Sequence, residues 1–129
     1  MENNNGFNIP AGFISTTIED MAKYLRLYLN IDNEEYKGFS QYIKKMIESG
    51  VVIDYKVDYG MGLFIINNKT IYEHSGGTNS FLFQLDIYPQ DEMAFFGIRN
   101  TADLICVGPT EDLLRNIEHF LINDYYDNN

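Results

Sequence analysis

The sequence has no tryptophan, one cysteine, three prolines and few basic residues. A single cysteine, Cys106, excludes an intramolecular disulfide, and its apolar neighbours favour a buried thiol over a nucleophile. Nine basic residues against nineteen acidic ones give a formal net charge of −10, which repels nucleic-acid phosphates and anionic lipids alike. We therefore expect no nucleic-acid partner.

Long apolar runs are also missing. No stretch approaches the length of a membrane span, and the N-terminus lacks the basic and apolar regions of a signal peptide. We expect a cytoplasmic location if the start is native, and an extracytoplasmic one if the chain is cut from an exported protein. The two histidines, His74 and His119, lie far apart with no shared ligand spacing, so no metal site is expected. No cofactor is expected either.

The length and composition indicate one compact domain. A chain of 129 residues with 45% apolar and 22% charged residues is long enough for one core and too short for two ordinary domains. We expect a single domain over residues 1–129, with residues 1–8 and 124–129 frayed because these ends are polar and aperiodic.

Two helices are predicted in the first half. Thr16 and Glu19 form a capping box that predicts an amphipathic helix over residues 17–30. Ser40 as a cap and Gly50 as a stop predict a second, shorter helix. The first apolar stripe is Ile18, Met21, Ala22, Leu25 and Leu29, and the second is Tyr42, Ile43, Met46 and Ile47.

Antiparallel strands are predicted after Gly50. "YGMGLFII" and "KTIYEHS" flank a turn-prone Asn67-Asn68 pair, which indicates a hairpin. Residues 81–88 alternate, with Gln84 and Asp86 on one face, and "MAFFGIRN" returns after a turn at Pro89–Glu92. The other, apolar face consists of Phe81, Phe83, Leu85 and Ile87.

A closing helix completes the predicted order. Gly108 and Pro109 end the sheet, and Glu111 and Asp112 favour a helix N-terminus. The apolar stripe that packs this helix on the sheet is Leu113, Leu114, Ile117, Phe120 and Leu121. The expected fold class is α+β: an antiparallel β-meander covered by a C-terminal helix and preceded by two helices.

The stretch "HSGGTNSF", residues 74–81, has a double glycine before an apolar strand. Glycine weakens a strand, because it adds no packing side chain and loses the most backbone entropy on folding. Close approach of a ligand or of another backbone segment is the usual reason for such a pair.

Three segments, in order, resemble the C-terminal part of the serine β-lactamase and penicillin-binding protein superfamily, especially its class C β-lactamase, esterase and D-alanyl peptidase branch. They are "PAGFISTTIEDMAKYLRLYLN", "YGMGLF" and "HSGGTNSFLFQLDIYPQDEMAFFGIRN". The resemblance runs from about Pro10 to Leu121 and covers only the last part of the family domain. It implies a partial β-lactamase/transpeptidase-like fold.

The resemblance also implies roles in a site. His74 stands where the family carries lysine or histidine and would orient a substrate carboxylate; Ser75 would donate a hydrogen bond to that carboxylate. Gly76 would leave room below the nucleophile. The N–H of Gly77 would join that of the nucleophilic serine in holding the oxyanion of the tetrahedral intermediate. Thr78 belongs to the implied substrate-binding stretch.

An ordinary interpretation stands beside this one. A histidine next to Glu73 at a strand end is usually a surface residue, and a double glycine is usually a bulge or turn. The flanking matches favour the site. Asn79 and Ser80 depart from the family, which often has glycine before the phenylalanine, so the loop there is expected to be reshaped.

The catalytic nucleophile of the family is missing from this sequence. No serine begins an S-x-x-K motif, and Tyr28-Leu29-Asn30 imitates the second motif by chance. The first hypothesis is therefore a serine hydrolase fragment that is not competent alone and acts on a peptide or small-molecule substrate only when completed by an N-terminal half. The second is a non-catalytic binding or assembly module, such as a homodimer formed through exposed sheet edges.

Overall fold

A computed structural model describes residues 14–48, 50–78, 80–100 and 107–125. Cys106 and the ends expected to fray, 1–8 and 126–129, lie outside these residues, whereas Asp124 and Tyr125 belong to the last helical turns. The elements in chain order are α1 (Ile18–Leu29), a 3₁₀ turn (Glu34–Tyr36), α2 (Lys37–Met46), β1 (Val51–Asp54), β2 (Val57–Tyr59), β3 (Phe64–Ile66), β4 (Ile71–Gly77), β5 (Leu82–Tyr88), β6 (Met93–Arg99), α3 (Val107–His119) and a π-helical segment (Phe120–Tyr125).

The six strands form one antiparallel sheet in the order β1-β2-β3-β4-β5-β6, which confirms the α+β class and the meander. The described chain divides into two compact units. One comprises Ser15–His74 and Leu85–Phe96, and the other comprises Ile14, Ser75–Gln84 and the described residues from Gly97 onward. Within the described residues, no helix has the length and apolar character needed to cross a membrane.

Helix α1 confirms the first predicted helix, but its cap differs from the prediction. Thr17, not Thr16, is the N-cap residue, and its hydroxyl accepts a hydrogen bond from the Asp20 N–H at 3.1 Å. The buried residues of the helix are Leu25 and Tyr28, while Ile18 is exposed. The buried face therefore differs from the predicted apolar stripe, because Tyr28 supplies part of it.

Helix α2 begins earlier than predicted. It follows a 3₁₀ turn and starts at Lys37, so Ser40 lies inside the helix and is not its cap. The Ser40 hydroxyl donates instead to the Tyr36 carbonyl at 3.2 Å, the common bond of a mid-helix serine. Ile43 is buried as predicted, whereas Tyr42 is exposed.

The strands β1 and β2 form a short hairpin that the periodicity did not separate from "YGMGLFII". All four residues of β1 are exposed, so this strand has no apolar alternation to detect. The turn from β2 to β3 is tight: the Gly60 N–H donates to the Leu63 carbonyl at 2.9 Å. A Cβ at Gly60 would collide with the backbone carbonyl of Met46 at the end of α2, which explains the glycine.

The centre of β5 is buried on both faces. Gln84, Leu85, Asp86 and Ile87 are all buried, and the last two have no exposed surface. The alternation in the sequence was real, but Gln84 and Asp86 do not form a solvent face. Burial of a polar side chain is costly unless the side chain is partnered, and neither Gln84 nor Asp86 is without an interaction partner.

Helix α3 starts at Val107, so Gly108 and Pro109 lie within its first turn and do not end the sheet. Proline is tolerated there because the first N–H groups of a helix have no intrahelical partner. A Cβ at Gly97 would lie 3.4 Å from Leu114 Cδ2, so the helix packs on β6 as predicted. The predicted stripe is only partly correct. Leu113, Ile117 and Phe120 are exposed, and Glu118 is buried.

Candidate functional site

The "HSGG" residues occupy the second half of β4, and Thr78 follows the strand directly. The double glycine therefore neither breaks the strand nor forms the turn. Neither Gly76 nor Gly77 has a left-handed backbone conformation. These glycines are therefore explained by close packing against a neighbour and not by an unusual backbone φ angle.

The edge to which each N–H of β4 points follows from the adjoining turn. The Thr78 N–H donates to the Phe81 carbonyl at 2.8 Å, so it points toward β5. The N–H groups of successive strand residues point to opposite edges. The N–H of Gly77 therefore points away from β5, as does that of Ser75, while the N–H of Gly76 points toward β5.

The register with β3 gives the same result independently. The hydrogen bond from the Gly60 N–H to the Leu63 carbonyl shows that the backbone groups of Leu63 face β2. The N–H and carbonyl of the next residue, Phe64, therefore face β4. Phe64 is paired with Glu73. The N–H of Glu73 thus faces β3. Because the direction alternates along the strand, the N–H groups of residues 75 and 77 point to the same edge as that of Glu73.

Strand β4 continues beyond the end of β3. Among the described residues, β3 provides partners for β4 only from Ile71 to Glu73, and β4 runs on for residues 74–77. Before Phe64 the chain turns at Gly62, which has a φ of +86°. The N–H groups of Ser75 and Gly77 therefore lie on a length of strand edge that β3 leaves open.

Both glycines have a packing reason within the chain itself. A Cβ at Gly76 would lie 2.5 Å from Phe83 Cε1, and one at Gly77 would collide with Leu82 Cδ2. Both partners are on β5, and the side chains lie across the glycines. The space that the sequence assigned to a nucleophile at Gly76 is therefore filled, on this face, by the ring of Phe83.

His74 and Ser75 lie side by side on β4 but on opposite faces, since successive side chains of a strand alternate. His74 is half-buried, and its ring is stacked near the ring of Phe64 with a centroid distance of 6.4 Å and an interplanar angle of 28°. Ser75 is exposed. The structure brings these side chains to one segment but not to one face.

Thr78 has a structural task that the sequence interpretation missed. Its hydroxyl accepts hydrogen bonds from the N–H of Ser80 at 3.3 Å and of Phe81 at 3.2 Å. Together with the backbone bond to Phe81, these contacts close the turn between β4 and β5. A threonine two or three residues before such N–H groups is the sequence signal of this turn.

Tyr28, which imitates the second catalytic motif, is buried and forms hydrogen bonds within the protein. It is 3% exposed, its hydroxyl lies 2.7 Å from that of Tyr24, and it donates to Met46 Sδ at 3.8 Å. Burial, together with the Tyr24 hydroxyl, raises the pKa of Tyr28 far above its ordinary value. The phenol therefore stays protonated and joins α1 to α2, which supports the interpretation of the motif as chance.

No group of three His, Cys, Asp or Glu side chains in the described part of the chain is placed to hold a metal ion.

The comparisons with known proteins support the fold. The sequence matches no protein-family model and no curated protein. Among solved structures, it is similar to the octameric penicillin-binding protein homologue from Pyrococcus abyssi, with a TM-score of 0.55 and 24% sequence identity. The match covers 67% of this chain and 21% of that chain. This likeness concerns the fold alone: the chain has the fold of part of a penicillin-binding protein homologue.

Proposed function

We propose that this chain supplies the oxyanion side of a serine hydrolase site of the penicillin-binding protein kind. The reaction is hydrolysis of an amide or ester bond through an acyl-enzyme, with the nucleophile on protein outside the printed sequence. The observation that carries this proposal is the Gly77 N–H, which points to the edge of β4 that β3 leaves unpaired within the described part of the chain. The similarity in fold to a penicillin-binding protein homologue supports it.

An extended substrate would lie along residues 75–77 as an added strand, and main-chain hydrogen bonds would hold it there. When the nucleophile attacks the substrate carbonyl, negative charge develops on the carbonyl oxygen. The Gly77 N–H then donates to that oxygen. One such donor is worth on the order of a hundred- to a thousand-fold in turnover.

The neighbouring residues take supporting roles in this proposal. Ser75 orients a carboxylate of the substrate through its hydroxyl, whereas His74, on the opposite face of β4, acts through its N–H on a different part of the substrate. Gly76 admits the Phe83 ring against β4, and Thr78 holds the turn that fixes the direction of the Gly77 N–H. The last two residues therefore act on the substrate through the strand and not by direct contact.

The chain alone should not turn over a substrate. No serine in the sequence begins an S-x-x-K motif, and loss of the nucleophile in a covalent hydrolase costs on the order of a million-fold. We expect no hydrolysis of nitrocefin or of a para-nitrophenyl ester by the purified chain. Burst kinetics that depend on one of its serines would contradict the proposal.

Substrate contact at the edge is tested by an NMR titration of the ¹⁵N-labelled chain with N-acetyl-D-alanyl-D-alanine. We expect the amide signals of Ser75 and Gly77 to shift in a saturable way. The Gly76 amide, which faces β5, is the internal control and should shift least. Absence of saturable shifts, or shifts at Gly76 without shifts at Gly77, would refute the proposed substrate edge.

The second candidate function is assembly without catalysis, and β1 favours it. Val51, Val52 and Ile53 are exposed at the outer strand of the sheet, and an exposed apolar edge strand favours pairing with a second copy. Sedimentation equilibrium would then show a homodimer, and Ile53→Lys would return it to a monomer. A monomer at all concentrations would exclude this function.

A further inference from the structure

An open pocket lies where the β1–β2 hairpin and the β3–β4 turn meet. We name it the hairpin-end pocket. It has a volume of about 390 Å³, within the range of small-ligand sites, and the lining residues that matter are Val52, Asp54, Lys56, Asp58, Ile65 and Lys69. It adjoins the beginning of β4, at the other end of that strand from residues 74–77.

The charges of this pocket differ from those of the whole chain. Acidic residues outnumber basic ones nineteen to nine overall, yet the pocket is lined by two aspartates and two lysines. Neither Lys56 nor Lys69 forms an ion pair with a described carboxylate. A simple cation or a simple anion would meet as many like charges as opposite ones, whereas a ligand with both charges matches the balance.

The wall of the pocket combines one carboxylate with apolar neighbours. Val52, Asp58 and Ile65 are direct cross-strand neighbours on β1, β2 and β3, so their side chains lie in a row on one face of the sheet. Ile65 is 2% exposed and forms the base of this row, and Asp58 is half-buried between its apolar neighbours. A ligand that bridges the charges therefore also covers the exposed side chain of Val52.

The two lysines hold backbone conformations that disfavour lysine. Lys56 has a φ of 63° and Lys69 one of 75°, and Asn67 and Asn68 beside it are also left-handed. Glycine is the inexpensive residue at such positions, and asparagine is tolerated. Strained non-glycine residues gather at ligand sites when the side chain is needed there. Turn formation alone does not explain why both positions carry lysine.

We propose that the hairpin-end pocket binds a small zwitterion with an apolar arm, the chemistry of an apolar amino acid or of a short peptide with free termini. The ligand ammonium pairs with Asp58, its carboxylate pairs with Lys69 and Lys56, and its apolar arm lies on the exposed side chain of Val52. This site is separate from the proposed substrate edge, and its ligand need not be a substrate.

The test is an NMR titration of the ¹⁵N-labelled chain with leucyl-leucine in the millimolar range. We expect saturable shifts at the amides of Lys56, Asp58 and Lys69. N-acetyl-leucyl-leucine lacks the ammonium, and leucyl-leucinamide lacks the carboxylate. Each should therefore bind about three- to fivefold more weakly, because one exposed ion pair contributes about that much to the affinity. Equal binding of the blocked peptides, or no saturable shift with leucyl-leucine, would overturn the proposal.

Lys69→Gly separates binding from folding. Glycine suits the left-handed backbone at this position, so the melting temperature should rise while leucyl-leucine binding weakens about three- to fivefold. Lys23→Gln, which removes an exposed lysine on α1, is the matched control and should leave the affinity unchanged. Unchanged affinity in Lys69→Gly, or an equal loss in Lys23→Gln, would contradict the assignment.

Discussion

The fit between Gly76 and Phe83 predicts a large effect from a single methyl group. A Cβ at residue 76 would lie 2.5 Å from Phe83 Cε1 and 3.1 Å from its Cζ, whereas packed carbons are separated by about 3.5–4.0 Å. The ring must therefore retreat by about 1 Å in Gly76→Ala. Overpacking of this kind costs about 1–3 kcal/mol, and the loss of glycine flexibility in the unfolded chain returns about 0.5–1 kcal/mol. We expect a net loss of about 1–2 kcal/mol in the free energy of unfolding.

Urea unfolding followed by circular dichroism measures this loss, and Gly38→Ala is the matched control. Gly38 lies in α2 with nothing within 4 Å of the place where a Cβ would lie, so its replacement should stabilise the chain by about 0.5–1 kcal/mol. In a Phe83→Leu background the Gly76→Ala penalty should shrink by about 1 kcal/mol, since the colliding atoms are gone. If Gly76→Ala is as stable as the unchanged chain, or costs the same in both backgrounds, the packing account is wrong.

Three further predictions concern the helices and the β2–β3 turn. Gly60→Ala should destabilise more than Gly76→Ala in the same assay, because its methyl would meet the backbone carbonyl of Met46, which cannot rotate away. Thr17→Ala should cost about 1 kcal/mol and Thr16→Ala much less, as expected if Thr17 is the cap; equal losses would contradict this. The pKa of Tyr28 is raised on folding, so its stabilising effect is complete below about pH 10 and is lost as the pH rises above that value. Between pH 9 and pH 11 the free energy of unfolding should therefore fall less in Tyr28→Phe than in the unchanged chain.

Elements with a clear period could be predicted from the sequence. The helical spacing that ends at Leu29, the turn at Asn67-Asn68, and the two strands around Pro89–Glu92 all have their counterparts in the structure. These signals are local, because a face buried along one element repeats at the period of that element. The order of the elements then determined the fold class.

Features that depend on neighbouring elements were not predictable in this way. The β1–β2 hairpin has an exposed edge strand without alternation, and β5 is buried on both faces although Asp86 would suggest a solvent face. The caps at Thr17 and Tyr36 were decided by the backbone geometry of the preceding turn, which the residue types alone left ambiguous.

The candidate site shows the same division. The sequence singled out residues 74–77, because a double glycine before an apolar strand needs a packing or ligand-binding reason. It did not give the direction of the Gly77 N–H, which depends on the register with β3 and on the turn bond at Thr78. Nor did it show that the Phe83 ring occupies the space over Gly76.

The most direct test of the central claim is amide hydrogen exchange of β4 measured by NMR. If the Gly77 N–H faces an open edge and the Gly76 N–H bonds to β5, Gly77 and Ser75 should exchange at least about tenfold faster than Gly76. Protection of Gly77 equal to or greater than that of Gly76 would mean that its N–H is already used within the sheet. That result would contradict the proposed oxyanion donor.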